Sequence, residues 1–478
     1  MLSKEKKDVL TLVIGKFLQV IIALVSIKVL TEVLSTEEVG NYYLLLSILI
    51  FFNFTFLNPL GQYYGRHLIS WQKSKNLFNA TIVLIGLRIL AIVVAMFFAY
   101  GVFEYFEYNK YYTLSEFLLF LFISLISGTY LVLLSAVNTL GNRIKFIRYM
   151  VATLAIGLLL SLYMVNFIDE SAIKWLYGIA ISQLLFSIAI FKYLVKNNDF
   201  SMEKIRSTFT KEYIKKILYF IIPITITLFL QWGQNISYRF IIEAKYSIEV
   251  LAYIGVGLAV SGAIFSAVES LVTQYYNPIY LREITEASKE QRTRSWNKLA
   301  SYMIPIYILL AMYIIALSPY LTNLLVAQKF KEAYLYTMFG AMIEFFRVVT
   351  NIIYMVSQSE LKTNTTIIAY AIGFIISIST LYLFDMSEAL WIIPLSLSLS
   401  SAIIAVILFI NMRKLLKISI NIISILKSFI MALPLLAVFF IENDGTLLLT
   451  LVLIASTGTY FLFVMYIILG KQILGKNI

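Results

Sequence analysis

The chain has 478 residues, 60% of them hydrophobic and 13% charged, with a mean hydropathy of +0.86 and a net charge of +12. No soluble domain of that length needs so much apolar surface, so the composition excludes a water-soluble globular protein. The absence of cysteine excludes disulfides, thiolate metal sites and cysteine nucleophiles.

The first apolar run, about 9–34, is too long for a signal peptide and has no small-residue cleavage site, so it reads as span 1. Lys16, Gln19 and Lys28 interrupt it. The acidic turn Ser35-Thr36-Glu37-Glu38 leads into span 2, about 41–65, which carries Asn53, Thr55, Asn58, Pro59 and Gln62. A basic loop, 66–75, precedes span 3, about 79–103, with Arg88 inside it. The acidic, tyrosine-rich loop 104–113 follows, then span 4 (about 116–138), the basic loop 141–145, span 5 (about 148–168), the turn Asp169-Glu170, and span 6 (about 175–195). Residues 197–216 are polar and basic, as expected of an amphipathic linker lying on the cytoplasmic membrane surface.

Span 7 follows, about 217–242. Thr227, Gln231, Gln234, Asn235 and Tyr238 fall on one helical face, with Arg239 beside them. A polar stripe of this kind turns away from lipid, towards other helices or a watery path. Spans 8 to 12 are expected at about 250–276, 299–317, 333–357, 365–384 and 390–411, and spans 13 and 14 at about 422–441 and 446–469. The reading is thus an all-α polytopic membrane protein of about fourteen spans. Its divisions are a six-helix lobe (1–196), the linker (197–216), a second six-helix lobe (217–412) and a helix pair (413–478).

The lobes echo each other. Glu38-Val39-x-x-Tyr42 corresponds to Glu249-Val250-x-x-Tyr253, Gln62-Tyr63-Tyr64 to Gln274-Tyr275-Tyr276, and Asp169-x-Ser171-x-x-x-Trp175 to Asp385-x-Ser387-x-x-x-Trp391. The offsets are 211, 212 and 216 residues. Shared order and near-constant offset point to a duplicated unit of six spans. An even number of spans makes the two lobes parallel, around a central cavity where substrate would bind. Lys and Arg concentrate at the N-terminus and after even-numbered spans, and acids after most odd-numbered ones. The positive-inside rule then puts both termini in the cytoplasm. The basic excess therefore reflects topology and anionic headgroups, with no nucleic-acid partner implied.

Lys16, Lys28, Arg88, Arg239 and Arg347 lie within spans, with two acids, Glu269 and Glu344. Each costs ~2.5–3.5 kcal/mol to insert unless it finds a partner or water. Lys28 can pair with Glu32 or snorkel; Glu344 and Arg347, three apart, can pair on one helix. Lys16, Arg88 and Arg239 have no close acid in their own spans. The net positive interior suits an anionic cargo such as a diphosphate. Candidate cavity residues are Lys16, Arg88, Gln231, Gln234, Asn235, Arg239 and Arg347. Glu269 and Glu344 are candidates for carrying a coupling proton or sodium ion, the alternative being that the membrane potential acts on the cargo. There is no Walker A pattern, no metal-spaced acid set and no large extramembrane loop, so no enzyme, metal or cofactor is expected. His67, the single histidine, reads as a solvated loop residue.

The chain resembles the polysaccharide transporter family, the Wzx-type O-antigen and capsule repeat-unit flippases of the multidrug/oligosaccharidyl-lipid/polysaccharide exporter superfamily. The resemblance rests on the fourteen-span layout, the turn Leu34-Ser35-Thr36-Glu37-Glu38-Val39-Gly40-Asn41-Tyr42, and Asn58-Pro59-Leu60-Gly61. It implies a bacterial inner-membrane flippase that moves an undecaprenyl-diphosphate-linked oligosaccharide from the cytoplasmic to the outer leaflet by alternating access. Membrane lipids, and polymerase and chain-length proteins of the same pathway, are the implied partners. It also implies that the last two spans form a groove for the lipid tail. A cation-coupled multidrug antiporter and a peptidoglycan lipid-precursor flippase are the alternatives. Lys16 and Lys28 stand in span 1, where many such antiporters carry an acid, and this argues against the former.

Overall fold

The computed structural model describes residues 4–196, 200–208, 210–284, 287–360, 362–385, 387–441 and 446–474, and among these it is helical with no strand. Among the described residues, thirteen helices are long and apolar enough to cross a membrane. They are α1 (Lys4–Val33), α2 (Thr36–Lys73), α3 (Leu77–Tyr105), α4 (Leu114–Thr139), α5 (Arg143–Phe167), α6 (Ala172–Val195) and α7 (Lys211–Lys245). After them come α8 (Ile248–Ile284), α9 (Lys289–Leu325), α10 (Gln328–Ser359), α12 (Ile392–Arg413), α13 (Ile422–Phe440) and α14 (Leu447–Ile468). Between α10 and α12 lies the apolar α11 (Ile367–Leu383), whose 17 residues reach only about 25 Å at ~1.5 Å each. The 3₁₀ turn Thr363–Thr366 in front of it extends the rod. With α11 included, the helices follow the fourteen expected spans in order, and large apolar side chains such as Phe97, Leu159 and Leu448 face outward. The protein is a multi-pass membrane protein.

Two compact units emerge: Met1–Ser26 with Val33–Trp232, and Ile27–Glu32 with Gly233–Ile478. In the first, Ser35 caps α2 by accepting the Glu38 N–H (3.1 Å). The Glu38 carboxylate in turn accepts the Ala172 N–H (2.6 Å) and the Asn41 amide (2.9 Å), so it fixes the start of α2 against the start of α6. Two of the repeated sequence motifs therefore meet through one side chain. The linker segment is pinned at the start of α3. Ser201 N–H donates to Asn79 Oδ1 (2.9 Å), and Asn76 Nδ2 donates to Thr208 Oγ1 (3.2 Å).

Small residues let α5 and α6 touch backbone to backbone. Ser161 donates to the Trp175 carbonyl (2.7 Å) and Ser182 to that of Thr153 (2.8 Å). A Cβ on Gly178 would sit 2.2 Å from Ser161 N. Gly178→Val is therefore expected to force the helices apart and destabilise the protein by about 3 kcal/mol, the upper range for overpacking. A melting curve in detergent reads this out. The control is Gly86→Ala on α3, which meets nothing within 4 Å and should leave the curve unchanged or raise it slightly.

The second unit repeats the device between α8 and α10, where a Cβ on Gly340 would lie 2.1 Å from Ser261 Oγ and one on Gly257 2.6 Å from the Ala333 carbonyl. Helix α9, with Pro305 and Pro319 inside it, is largely buried, and its Trp296 Nε1 donates to the Ile352 carbonyl (2.9 Å). Lys28 pairs with Glu32 (3.1 Å) as the i,i+4 spacing suggests, and also donates to the Val326 carbonyl (2.5 Å). Ahead of α12, the Ser387 N–H donates to Asp385 Oδ1 (3.0 Å). That bond, reinforced by nearby Lys245, holds the exposed Asp385 carboxyl below the usual carboxylate range. Helices α13 and α14 pack on α9 through Leu309, Met312, Ala316, Ala432, Leu435 and Val464.

Candidate functional site

Interior charges are handled differently in the two units. In the second, Arg347 on α10 is clamped by two acids. Its Nε lies 2.7 Å from Glu344 Oε2, one turn back, and its Nη2 lies 2.7 Å from Glu269 Oε2 on α8. Asn351, one turn further along α10, donates to Glu269 Oε1 (3.1 Å). The helical spacing made the first pair readable from sequence, whereas the second is long-range. Two carboxylates around one guanidinium leave the cluster one positive charge short of neutrality.

Arg347 also lines a small cleft of about 30 Å³, with Gln234, Asn235, Thr350, Asn351 and Ser401. These residues come from α7, α10 and α12. Gln234 is 3% exposed and donates to Ser401 Oγ (3.2 Å). Three of the expected cavity residues, Gln234, Asn235 and Arg347, are thereby brought together, and Arg347 links them to Glu269 and Glu344. Thr350 and Ser401 were not singled out in the sequence. The serine run 396, 398, 400 and 401, buried throughout, was the available signal. Arg347 sits among carboxylates here, and so differs from a bare cation facing a phosphate.

Helix α7 is discontinuous within its polar stripe. The first piece ends at Asn235 and the second begins at Tyr238. Ser237 Oγ donates to the Gly233 carbonyl at the break. Arg239 lies just beyond it, its guanidinium over the Tyr238 ring (5.8 Å) with Nε donating to Tyr238 Oη (3.3 Å). Ser237 keeps helical dihedrals, and the turn tightens through Arg239 N–H to the Ile236 carbonyl (3.1 Å) and Phe240 N–H to the Ser237 carbonyl (3.2 Å), a change that sequence periodicity does not register.

In the first unit the centre is Arg88 on α3, a single charge 2% exposed. Its Nε donates to Thr129 Oγ1 (3.2 Å) and its Nη1 to the Leu57 carbonyl (3.2 Å). Its Nη2 meets no acceptor among the described residues, and no ion pair with it forms there. Both of its anchors sit at helix interruptions. Helix α2 carries a π-turn, Asn53–Leu57, immediately before Asn58-Pro59. Pro59 has no N–H for the Thr55 carbonyl, so the ladder shifts and Asn58 N–H bonds to the Asn53 carbonyl instead. Thr225 Oγ1 approaches the released Thr55 carbonyl (3.4 Å). Helix α4 breaks at Gly128, where a Cβ would lie 3.2 Å from Asn53 Nδ2 and 3.7 Å from Arg88 Nη2. Lys16 also falls in this unit, donating to Gln19 Oε1 (3.0 Å), as does Gln231.

Solved structures bear out the helical membrane architecture. The fold is similar along nearly the whole chain to the lipid II flippase MurJ in an inward closed conformation, with TM-score 0.68, 14% identity, and coverage of 98% of this chain and 99% of that one. It is also similar to an inward-facing multidrug resistance MATE family transporter of the MOP superfamily (TM-score 0.59, 10% identity, 84% and 93% coverage). A third is a MOP superfamily transporter from Pyrococcus furiosus, described by the reverse polarity of its binding pocket (TM-score 0.53, 12% identity, 90% and 96% coverage). The chain thus shares the helical fold of these proteins. No family model matches the sequence, and no curated protein sequence matches it either.

Proposed function

We propose that the chain is a flippase carrying an undecaprenyl-diphosphate-linked oligosaccharide, an O-antigen or capsule repeat unit, from the cytoplasmic to the outer leaflet of a bacterial inner membrane by alternating access. The observation that carries the reading is Arg88. A guanidinium 2% exposed, with neutral oxygens as its hydrogen-bond partners, keeps its full charge inside the bilayer depth, and a diphosphate is the ligand that such a charge serves. The Glu269–Arg347–Glu344 cluster is the complementary part, where a proton or sodium ion would bind to drive transport. Purified protein in vesicles, given labelled diphosphate-linked sugar with and without an ion gradient, tests both. Absence of translocation overturns the reading.

A peptidoglycan lipid-precursor flippase is the second reading, favoured by the end-to-end likeness to MurJ. Lipid II moving faster than a repeat-unit lipid in the same vesicles selects it. A multidrug antiporter would instead move cationic dyes and ignore both lipids. In the proposed role, polymerase and chain-length proteins receive the product at the outer face.

Arg239→Ala is expected to abolish export of the lipid-linked sugar in folded, inserted protein, and Arg239→Lys to retain part of it, since the planar fork of arginine matches phosphate oxygens. Export assays with quantified membrane levels check this. For topology, cysteines at Glu107 should react with an impermeant reagent from outside, and those at Ser201 and Gln291 should not. Asp444, a further outer position from the sequence, lies outside the described residues.

A further inference from the structure

Tyr307 on α9 is fully buried, and its hydroxyl meets no hydrogen-bond partner among the described residues. A buried phenol without a partner costs free energy that a phenylalanine of the same shape would avoid. The ring stacks on Phe265 of α8, with 6.4 Å between centroids and 20° between planes. Phe265 stands one turn before Glu269 on the same helix face. The charges that act on the hydroxyl are those of Glu269 and Arg347. Gly262, one turn before Phe265, lies under Glu344, whose Oε1 is 3.6 Å from where a Cβ would stand. Helices α8, α9 and α10 of the second unit therefore meet at the charged cluster, and α9 adds a hydroxyl to it.

The Glu269 carboxylate is held from α10, its Oε2 by Arg347 (2.7 Å) and its Oε1 by Asn351 (3.1 Å). An acid that takes up and releases an ion needs a second resting place, because its guanidinium partner competes with the ion for the same oxygens. A turn of the Glu269 side chain towards α9 exchanges the α10 partners for the phenol. It leaves Arg347 and Glu344 as a one-to-one pair and gives the Tyr307 hydroxyl an acceptor. Each arrangement satisfies a group that the other leaves open, which is what a switch between them requires.

We propose that Glu269 has two alternative partners, Arg347 with Asn351 in the state described here and the Tyr307 hydroxyl in the other. Tyr307 is then a positioning residue for the coupling acid. The inference rests on the coupling role given to the cluster in the flippase reading, and it adds the residue that holds the acid once it has left Arg347.

Thermal melting of the full chain in detergent tests the two positions without any transport. In the unsubstituted background, Tyr307→Phe removes an unpaired hydroxyl and should leave the melting temperature unchanged or raise it. In the Arg347→Ala background Glu269 is released towards Tyr307, and the same substitution should lower the melting temperature by several degrees. Arg347→Gln takes the place of Arg347→Ala if that variant does not fold. The inversion of sign is the signature of the second partner. A hydroxyl that is merely packed gives the same shift in both backgrounds, and that result overturns the proposal. Glu269→Ala added to Arg347→Ala should cancel the loss; a loss that persists assigns the hydroxyl to another acceptor and also overturns it. In vesicles with labelled diphosphate-linked sugar, Tyr307→Phe should lower the maximal rate several-fold at an unchanged half-saturating concentration, because the hydroxyl acts on the acid and not on the cargo. An unchanged maximal rate overturns the positioning role. Absence of transport by the unsubstituted chain would remove the flippase reading, while the melting comparison still decides between one partner and two.

Discussion

Arg347→Ala is expected to lower stability by about 2–3 kcal/mol and to stop transport. Removing the guanidinium leaves Glu269 and Glu344 facing each other without their shared cation, and breaking a buried pair costs about 3–5 kcal/mol. The figure is reduced here because the Arg347 side chain is 32% exposed and solvent screens part of the repulsion. The diagnostic variant is the triple one. Glu269→Gln and Glu344→Gln in the Arg347→Ala background should restore most of the lost melting temperature, since a neutral cluster no longer needs the guanidinium. It should not restore gradient-driven transport, because the carboxylates that would hold the ion are gone. Glu269→Gln with Glu344→Gln alone should leave a folded protein whose transport no longer responds to a proton or sodium gradient. An unchanged response in that double variant means that the coupling charge is held elsewhere, or that the membrane potential acts on the cargo directly.

Arg88→Ala is expected to reduce lipid-linked sugar export to background. The side chain holds the Leu57 carbonyl and the Thr129 hydroxyl at two helix breaks, and its removal leaves both acceptors and a cavity of arginine size. A purely structural arginine would lose folding and export together. Arg88→Lys separates the roles. An ammonium keeps the charge and one hydrogen bond, but cannot reach both anchors with fixed geometry, so folded protein with partial export is expected. Normal export from well-folded Arg88→Ala protein would remove the observation on which the anionic cargo rests.

Much of the architecture was legible because lipid simplifies the code: long apolar runs, and basic loops alternating with acidic ones. The turn at Ser35–Glu38 was readable as a helix start and became one, with Ser35 as the cap. Pairs spaced three or four residues apart, Glu344 with Arg347 and Lys28 with Glu32, were readable for the same periodic reason. What depended on contacts between distant helices was not. Nothing local to Glu269 announces Arg347, and nothing near Lys28 announces the Val326 carbonyl. The polar stripe of α7 was readable, and so was its single span, but not the tightened turn within it. Helical periodicity scores residue type at fixed phase, and a local shift to i→i−3 bonding at Arg239 and Phe240 leaves no mark in residue type. Pro59 in α2 was the one local signal for an interruption, and its effect falls on the turn in front of it, where a proline ring crowds the preceding carbonyl.

That interruption makes α2 a rod with an adjustable phase. A π-turn carries one residue more than the α-helical turn that it replaces. Each residue of an α-helix advances ~1.5 Å and turns ~100°. If the turn at Asn53–Leu57 were annealed or passed along by one residue, everything beyond Asn58 would screw by that increment. The rings of Tyr63, Tyr64 and Trp71 would swing to a different face while the first half of α2 stayed in register. Arg88 donates to the Leu57 carbonyl at the end of the π-turn, so a change of phase would have to break that bond. A charge at Arg88 is thereby tied to a rotation felt several turns away, with the helix itself as the shaft. Amide exchange would report the coupling directly: loosening at positions 53–58 in Arg88→Lys, with the amides of α3 unchanged.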